Sequence, residues 1–231
     1  MKTLEEQQAY WIEKLSDLPP AVSLPADWER PVVSSFLRDV VSIVLEADLY
    51  ERIKATGSPA VMMLAALNAL VHRYTGSTDI AIAAPVQIPP GKVRTNLVVV
   101  RTRFSREETV ESLIRQLFVT VAEAAGNSAC PFSQVAHAAA HKSGAKGNVE
   151  APLFHIGCDF SSDANGSSGS THAHELARCD LFFHVTEERA GAATLECEYD
   201  SELFEPSTVQ RFLQHWHTLL QGMPYKLMAT S

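Results

Sequence analysis

Residues 58–86 read SPAVMMLAALNALVHRYTGSTDIAIAAPV. Ser58 stands where a helix needs an N-cap, Pro59 suits the first turn, and Gly76 suits the left-handed residue that ends a helix. Between them the side chains are apolar almost all round as far as His72, so this helix is expected to be buried rather than amphipathic. The chain then passes at once into TDIAIAAPV, which predicts a strand. A buried helix feeding directly into a strand belongs to a layered α/β or α+β architecture. The rest of the chain is read outward from that unit.

Upstream, DVVSIVLEAD is rich in β-branched residues and predicts a strand ending near Glu46. DLYERIKATG predicts a short helix with Asp48 as its N-cap and Gly57 at its end. Before these lies DLPPAVSLPADWERP, whose Pro19, Pro20, Pro25 and Pro31 forbid helix interior and predict an extended crossing segment. Residues 4–16, with Leu4, Tyr10, Trp11 and Leu15 among charges, predict a short amphipathic helix.

Downstream, TNLVVVRTRF predicts a strand joined to TDIAIAAPV through QIPPGKVR. REETVESLIRQLFVTVAEAAG predicts a helix with acids in its first turn, as the dipole prefers. APLFHIGCDF predicts another strand. Residues 161–175, SSDANGSSGSTHAHE, predict a flexible loop. DLFFHVTEE and ATLECEYDS predict an antiparallel hairpin around RAGA, with Leu195, Cys197 and Tyr199 on one face and Glu196 and Glu198 on the other. A last helix begins near Pro206. The mixture of short and crossover connections predicts a mixed sheet covered by helices.

The 231 residues are 46% hydrophobic and 20% charged, with a formal net charge of −8. The acidic balance argues against a nucleic-acid or anionic-membrane binder, whose contacts rest on Lys and Arg. No apolar run approaches the roughly 20 residues that span a bilayer, and the polar start MKTLEEQQAYW has no signal-peptide core. The expectation is a soluble cytoplasmic protein. Its four scattered cysteines, Cys130, Cys158, Cys179 and Cys197, are then reduced core residues.

The order of these segments resembles the condensation domains of nonribosomal peptide synthetases. LEEQQAYWIEKLSDLPPAVSLPADWERP resembles the segment that follows that family's active-site lobe, and LVHRYTGSTDIAIAAPV its buried helix and strand. TNLVVVRTRFS resembles its asparagine-containing strand, ACPFSQVAHA its proline–phenylalanine turn, APLFHIGCDF its PLF strand, and residues 179–220 its closing hairpin and helix. The resemblance implies a chloramphenicol-acetyltransferase-like half-domain, with residues 1–231 as one truncated domain and residues 1–31 as its leading helix and crossing segment. The family's His-His-x-x-x-Asp-Gly motif belongs to the other lobe, and this sequence contains no His-His pair. Amide formation needs an amine set beside a thioester carbonyl with an imidazole near the departing proton. No catalytic residue and no cofactor is therefore assigned.

What the resemblance does mark is a lobe or partner interface near Asn96, Pro131 and Phe132. Two departures accompany it: RTN stands where VNT is usual, in a shortened connection, and NVEAPLF lacks the arginine that usually precedes PLF. Lys92 and Arg94 read as turn charges, because the phosphate-loop spacing is missing. In CPFSQVAHAAAHK, His137 and His141 are one helical turn apart, but a metal needs a third ligand and the neighbours are alanines, so no metal is assigned. His172 and His174 sit in the Ser/Gly-rich segment, His215 and His217 on different helix faces, and His184 in an apolar strand as a hydrogen-bonded structural residue. The resulting expectation is a noncatalytic platform for an adenylation domain, a carrier protein or a trans-acting enzyme, with a homodimer as one way of covering the exposed face. The alternative is half of a split acyltransferase that needs a second chain supplying the His-His motif.

Overall fold

Capping boxes set the starts of two helices. The computed structural model describes residues 2–35, 37–87, 95–136, 153–160, 179–188 and 191–228. Helix α1 (Leu4–Lys14) opens on a capping box in which the Glu6 N–H donates to Thr3 Oγ1 and the Thr3 N–H donates to Glu6 Oε2. Strand β1 (Arg38–Leu45) leads into α2 (Ala47–Lys54). Glu46, not Asp48, holds the N-cap position of α2 and makes no side-chain cap; Asp48 instead puts its charge in the first turn, where the dipole favours it. Helix α3 (Pro59–Thr75) has Ser58 at its N-cap without a hydroxyl bond, and ends at Gly76, whose φ of 71° is the left-handed conformation glycine adopts at no steric cost.

Strands β2 (Asp79–Gln87) and β3 (Thr95–Arg103) follow, then α4 (Val110–Gly126). Helix α4 starts four residues later than Arg106, because Thr109 and Ser112 form a capping box and leave Glu107 and Glu108 outside, with Glu111 the acid of the first turn. Residues 132–136 are helical. Strands β4 (Ile156–Asp159), β5 (Leu181–Glu187) and β6 (Ala193–Asp200) and helix α5 (Pro206–Met228) complete the chain. The loop at 161–175, the turn charges Lys92 and Arg94, and His137, His141, His172 and His174 lie outside the described residues.

One six-stranded mixed sheet runs β1-β6-β5-β4-β2-β3. The pairs β1/β6, β5/β6 and β2/β3 are antiparallel, while β4 is parallel to both its neighbours. Helices α2 to α5 cover one face; α3 and α5 are locked by Trp216, whose indole N–H donates to Met63 O at 3.1 Å. Helix α1 and residues 132–136 cover part of the other, over Ala81, Ala83, Leu97, Val99 and Phe182. Gly157 in β4 allows the Phe182 ring to close on the backbone, since a Cβ there would lie 2.6 Å from Cε2. The second layer stops short of β1, whose outward Val40 and Val44 are 49% and 65% exposed.

The proline-rich segment forms neither helix nor strand, and it is fastened. Leu24 is buried, and Asp27 accepts from the Glu205 N–H and the Thr208 hydroxyl, so it caps the start of α5 from 178 residues away. Among the described residues, no single helix is long and apolar enough to cross a membrane.

Candidate functional site

Asn96, Pro131 and Phe132 do converge, and Asn96 organises the meeting. It lies at the start of β3, only 4% exposed. Its Nδ2 donates to Ser128 O at 2.7 Å and to Cys130 O at 2.6 Å. Its Oδ1 accepts the N–H groups of Leu97, at 3.0 Å, and Phe132, at 3.3 Å. These bonds hold the turn in which the chain leaves α4 in one layer and enters the helical residues 132–136 in the other. Gln7 of α1 grips the same turn, its Oε1 accepting from the Ala129 and Cys130 N–H groups. The Trp11 indole N–H donates to Asn127 O at 2.9 Å. Pro131 is exposed and Phe132 is buried against Phe154. A buried amide with both donors and its oxygen occupied has the chemistry of a clamp.

Two further polar clusters escaped the sequence reading. The first centres on Arg101 in β3, whose side chain is 3% exposed. Nε and Nη2 form a fork on Asp79, at 2.8 and 2.6 Å. Nη1 donates to Lys14 O and Asp17 Oδ1, and Nη2 to Asp17 O. All five N–H groups of the guanidinium are thus used, and α1 is tied to the β2–β3 hairpin.

The second centres on Asp180, where the chain enters β5. Its Oδ2 accepts from Arg30 Nη2 at 2.6 Å and from the Ser23 hydroxyl at 2.8 Å, and lies 3.1 Å from His155 Nδ1. This brings serine, histidine and aspartate together, but the hydroxyl is bonded to the carboxylate and not to the imidazole. A nucleophilic serine needs the base on its own proton, so the arrangement is not a hydrolytic triad. It fastens the crossing segment to the strand end. Burial pushes the Asp180 carboxyl up, yet the hydrogen bonds from His155, Arg30 and Ser23 outweigh burial and hold it below the usual carboxylate range.

That direction predicts acid sensitivity. A carboxyl whose folded pKa is depressed adds stability that is present above its unfolded value, about 3.9, and lost as pH falls through the folded value. Thermal midpoints followed from pH 6 to pH 2 are therefore expected to drop below about pH 4. Asp180→Asn is expected to flatten that limb, and an unchanged acid limb in the variant would refute the assignment.

Among the described residues, the remaining histidines have local partners. His215 Nδ1 lies 2.7 Å from the Tyr74 hydroxyl and His217 Nε2 2.9 Å from Glu46 Oε2, so they point to separate neighbours. His184 was expected to be held by hydrogen bonds; what is seen is its ring against Phe182, with centroids 4.5 Å apart. All four cysteines are buried and free, and burial pushes the Cys179 thiol up to about 12. Thiols so placed stay protonated and are poor nucleophiles. Among the described residues, no group of three or more His, Cys, Asp or Glu side chains could hold a metal ion.

A mixed sheet with helices on both faces, pinned by buried clamps, defines the class: a layered α/β protein. The model of the condensation domain family matches residues 1–227, and the chain belongs to that family. It is 29% identical over 238 residues to tyrocidine synthase 3 of Brevibacillus parabrevis, covering 93% of this chain and 4% of that protein. It is 29% identical over 240 residues to the chondramide synthase cmdD of Chondromyces crocatus, covering 95% and 6%. The chain thus spans a small fraction of the length of these curated relatives.

Among solved structures, a four-domain nonribosomal peptide synthetase bound to AMP and glycine superposes with a TM-score of 0.82 at 16% identity, over 97% of this chain and 20% of that one. The X-domain of teicoplanin biosynthesis, solved in complex with OxyB, gives 0.78 at 20% identity, over 96% and 53%. The condensation domain of the monacolin K polyketide synthase MokA gives 0.74 at 20% identity, over 96% and 57%. The expected fold is the one found.

Proposed function

We propose that this chain is the second lobe of a condensation domain and works as a noncatalytic platform for other peptide-synthetase components. The observation that carries the reading is a fold kept over nearly the whole chain in a sequence without a His-His pair. The described polar clusters support it, since the Asn96, Arg101 and Asp180 groups spend their hydrogen bonds on holding segments together. The partners proposed are an adenylation domain, a carrier protein or a trans-acting enzyme; the solved complex of an X-domain with OxyB offers a precedent for the last. The surface proposed for them lies around exposed Pro131, with Asn96 and Phe132 as the buried support that fixes its shape.

The test combines binding with chemistry. The purified chain is immobilised and offered adenylation and carrier proteins, with Pro131→Arg as the interface variant. Binding weakened at least tenfold by that substitution is expected, and no dipeptide when aminoacyl carriers are mixed with the chain. Amide product from the chain alone would overturn the reading. Product only after adding a polypeptide with the His-His motif would favour the split acyltransferase instead.

A further inference from the structure

Strand β1 is the outermost strand of the sheet on its side, and among the described residues none lies beyond it. It pairs with β6 without a break from Arg38↔Asp200 to Leu45↔Ala193. The Ser201 N–H donates to Leu37 O, which continues that register by one pair. In an antiparallel ladder, bonded and non-bonded pairs alternate. The odd-numbered residues of β1 therefore bond to β6, and Arg38, Val40, Ser42 and Val44 aim their N–H and C=O groups at the open edge. The Val40 N–H confirms the phase, because it donates to the Asp39 side chain at 2.8 Å.

Open edges are usually blunted by lysine, proline, a bulge or brevity. RDVVSIVL has eight residues, no lysine, no proline and no break in register. Its outward side chains Val40 and Val44 are exposed, and Leu37 just before it is exposed as well. The opposite outermost strand, β3, carries two arginines. On β1, the Asp39 carboxylate over the Val40 N–H is the guard the structure shows.

The sequence of this edge complements itself. A two-fold axis normal to the sheet through Ser42 sets Ser42 against Ser42 of a second copy and Val40 against its Val44. Every facing pair then joins residues that point their backbone groups outward and their side chains to one side, as a bonded antiparallel pair requires. Valine meets valine twice. Moving the axis to Val41 keeps the backbone phase but faces Val40 with Ser42, losing both valine pairs. We propose that β1 is a self-association edge through which two copies join as one twelve-stranded sheet, with Asp39 as its gate. This stands apart from the platform reading and does not depend on it.

The net charge of −8 on each copy opposes association, so the dimer is expected to strengthen with salt. Sedimentation equilibrium of the 231-residue chain over a range of concentrations is expected to show a reversible monomer–dimer equilibrium. Asp39→Ala frees the Val40 N–H in both copies and is expected to tighten it about thirtyfold, the equivalent of roughly two net hydrogen bonds. Ser42→Pro is expected to abolish it with an unchanged circular dichroism spectrum, because the Ser42 N–H makes no bond to β6. Should Ser42→Pro fail to fold, Val44→Lys on an exposed position gives the same readout. Ser42→Cys is expected to cross-link to a covalent dimer with a short bismaleimide, the native cysteines being buried. A monomer at every concentration and salt, Asp39→Ala included, would overturn the proposal. So would a dimer that survives Ser42→Pro and Val44→Lys, or one that Ser42→Cys does not cross-link.

Discussion

Replacement of Asn96 by aspartate is expected to remove a large share of the folding stability, although the two side chains have nearly the same shape. The amide contributes two donors to the carbonyls of Ser128 and Cys130 and one oxygen to the N–H groups of Leu97 and Phe132. Aspartate keeps the oxygen and turns the donor into a second oxygen facing two carbonyls. Each orphaned buried carbonyl costs about 1–3 kcal/mol and a buried unpaired charge costs more, so a loss of about 4–6 kcal/mol is expected. Set against a typical stability of about 5–15 kcal/mol, that is a large share. Asn96→Ala removes the donors without adding a charge and is expected to cost about 3 kcal/mol. Urea midpoints rank the three proteins. Because Trp11 donates to Asn127 beside the clamped turn, its emission is expected to shift to the red in both variants. Equal midpoints for wild type and Asn96→Asp would show that the amide holds nothing.

Arg101→Met is the second large effect expected. Methionine fills the stem's volume but leaves Asp79, Lys14 O and Asp17 O without the guanidinium that joins them. Removing one partner of a buried ion pair typically costs about 3–5 kcal/mol. Because Asp79 and the exposed Asp17 both keep Arg103, about 2–3 kcal/mol is expected here. Arg101→Lys restores the charge with three donors on a point where five on a plane are used, and is expected to recover less than half of the loss. The damage should be local first: α1 is held to the hairpin through this group, so limited proteolysis is expected to cut early near residues 15–20. Wild-type resistance in Arg101→Met would exclude Arg101 as the tie.

How far these groups could be read in advance differs between them for physical reasons. The buried helix α3 was legible from its own residues, because Pro59 and Gly76 act locally and an apolar surface needs no partner's name. The start of α4 was misplaced because Thr109 caps with Ser112, a shorter partner than the Glu or Gln that marks a capping box in sequence. Asn96 was legible only through family resemblance, and the use of its amide required the turn 32–36 residues downstream. Arg101 had a signal that went unread. An arginine inside NLVVVRTRF must bury its charge or leave the strand, and a buried guanidinium demands carboxylates. Asp180 had no such signal, since its partners come from residues 23, 30 and 155 and only the folded chain gathers them. The strand order likewise follows from packing, as β1 pairs with β6 and not with β2, the next strand in the chain.

The arrangement of β4 has a mechanical corollary. Three antiparallel strands stand on one side of it and two on the other, and the four-residue isthmus between them is registered to β2 at a single bridge, Ala83↔Gly157. The two blocks are each stiffened by long ladders, while the join is narrow and carries a glycine. Within the sheet the two blocks therefore meet at a narrow seam, and the helices packed across both faces carry the rest of the load between them.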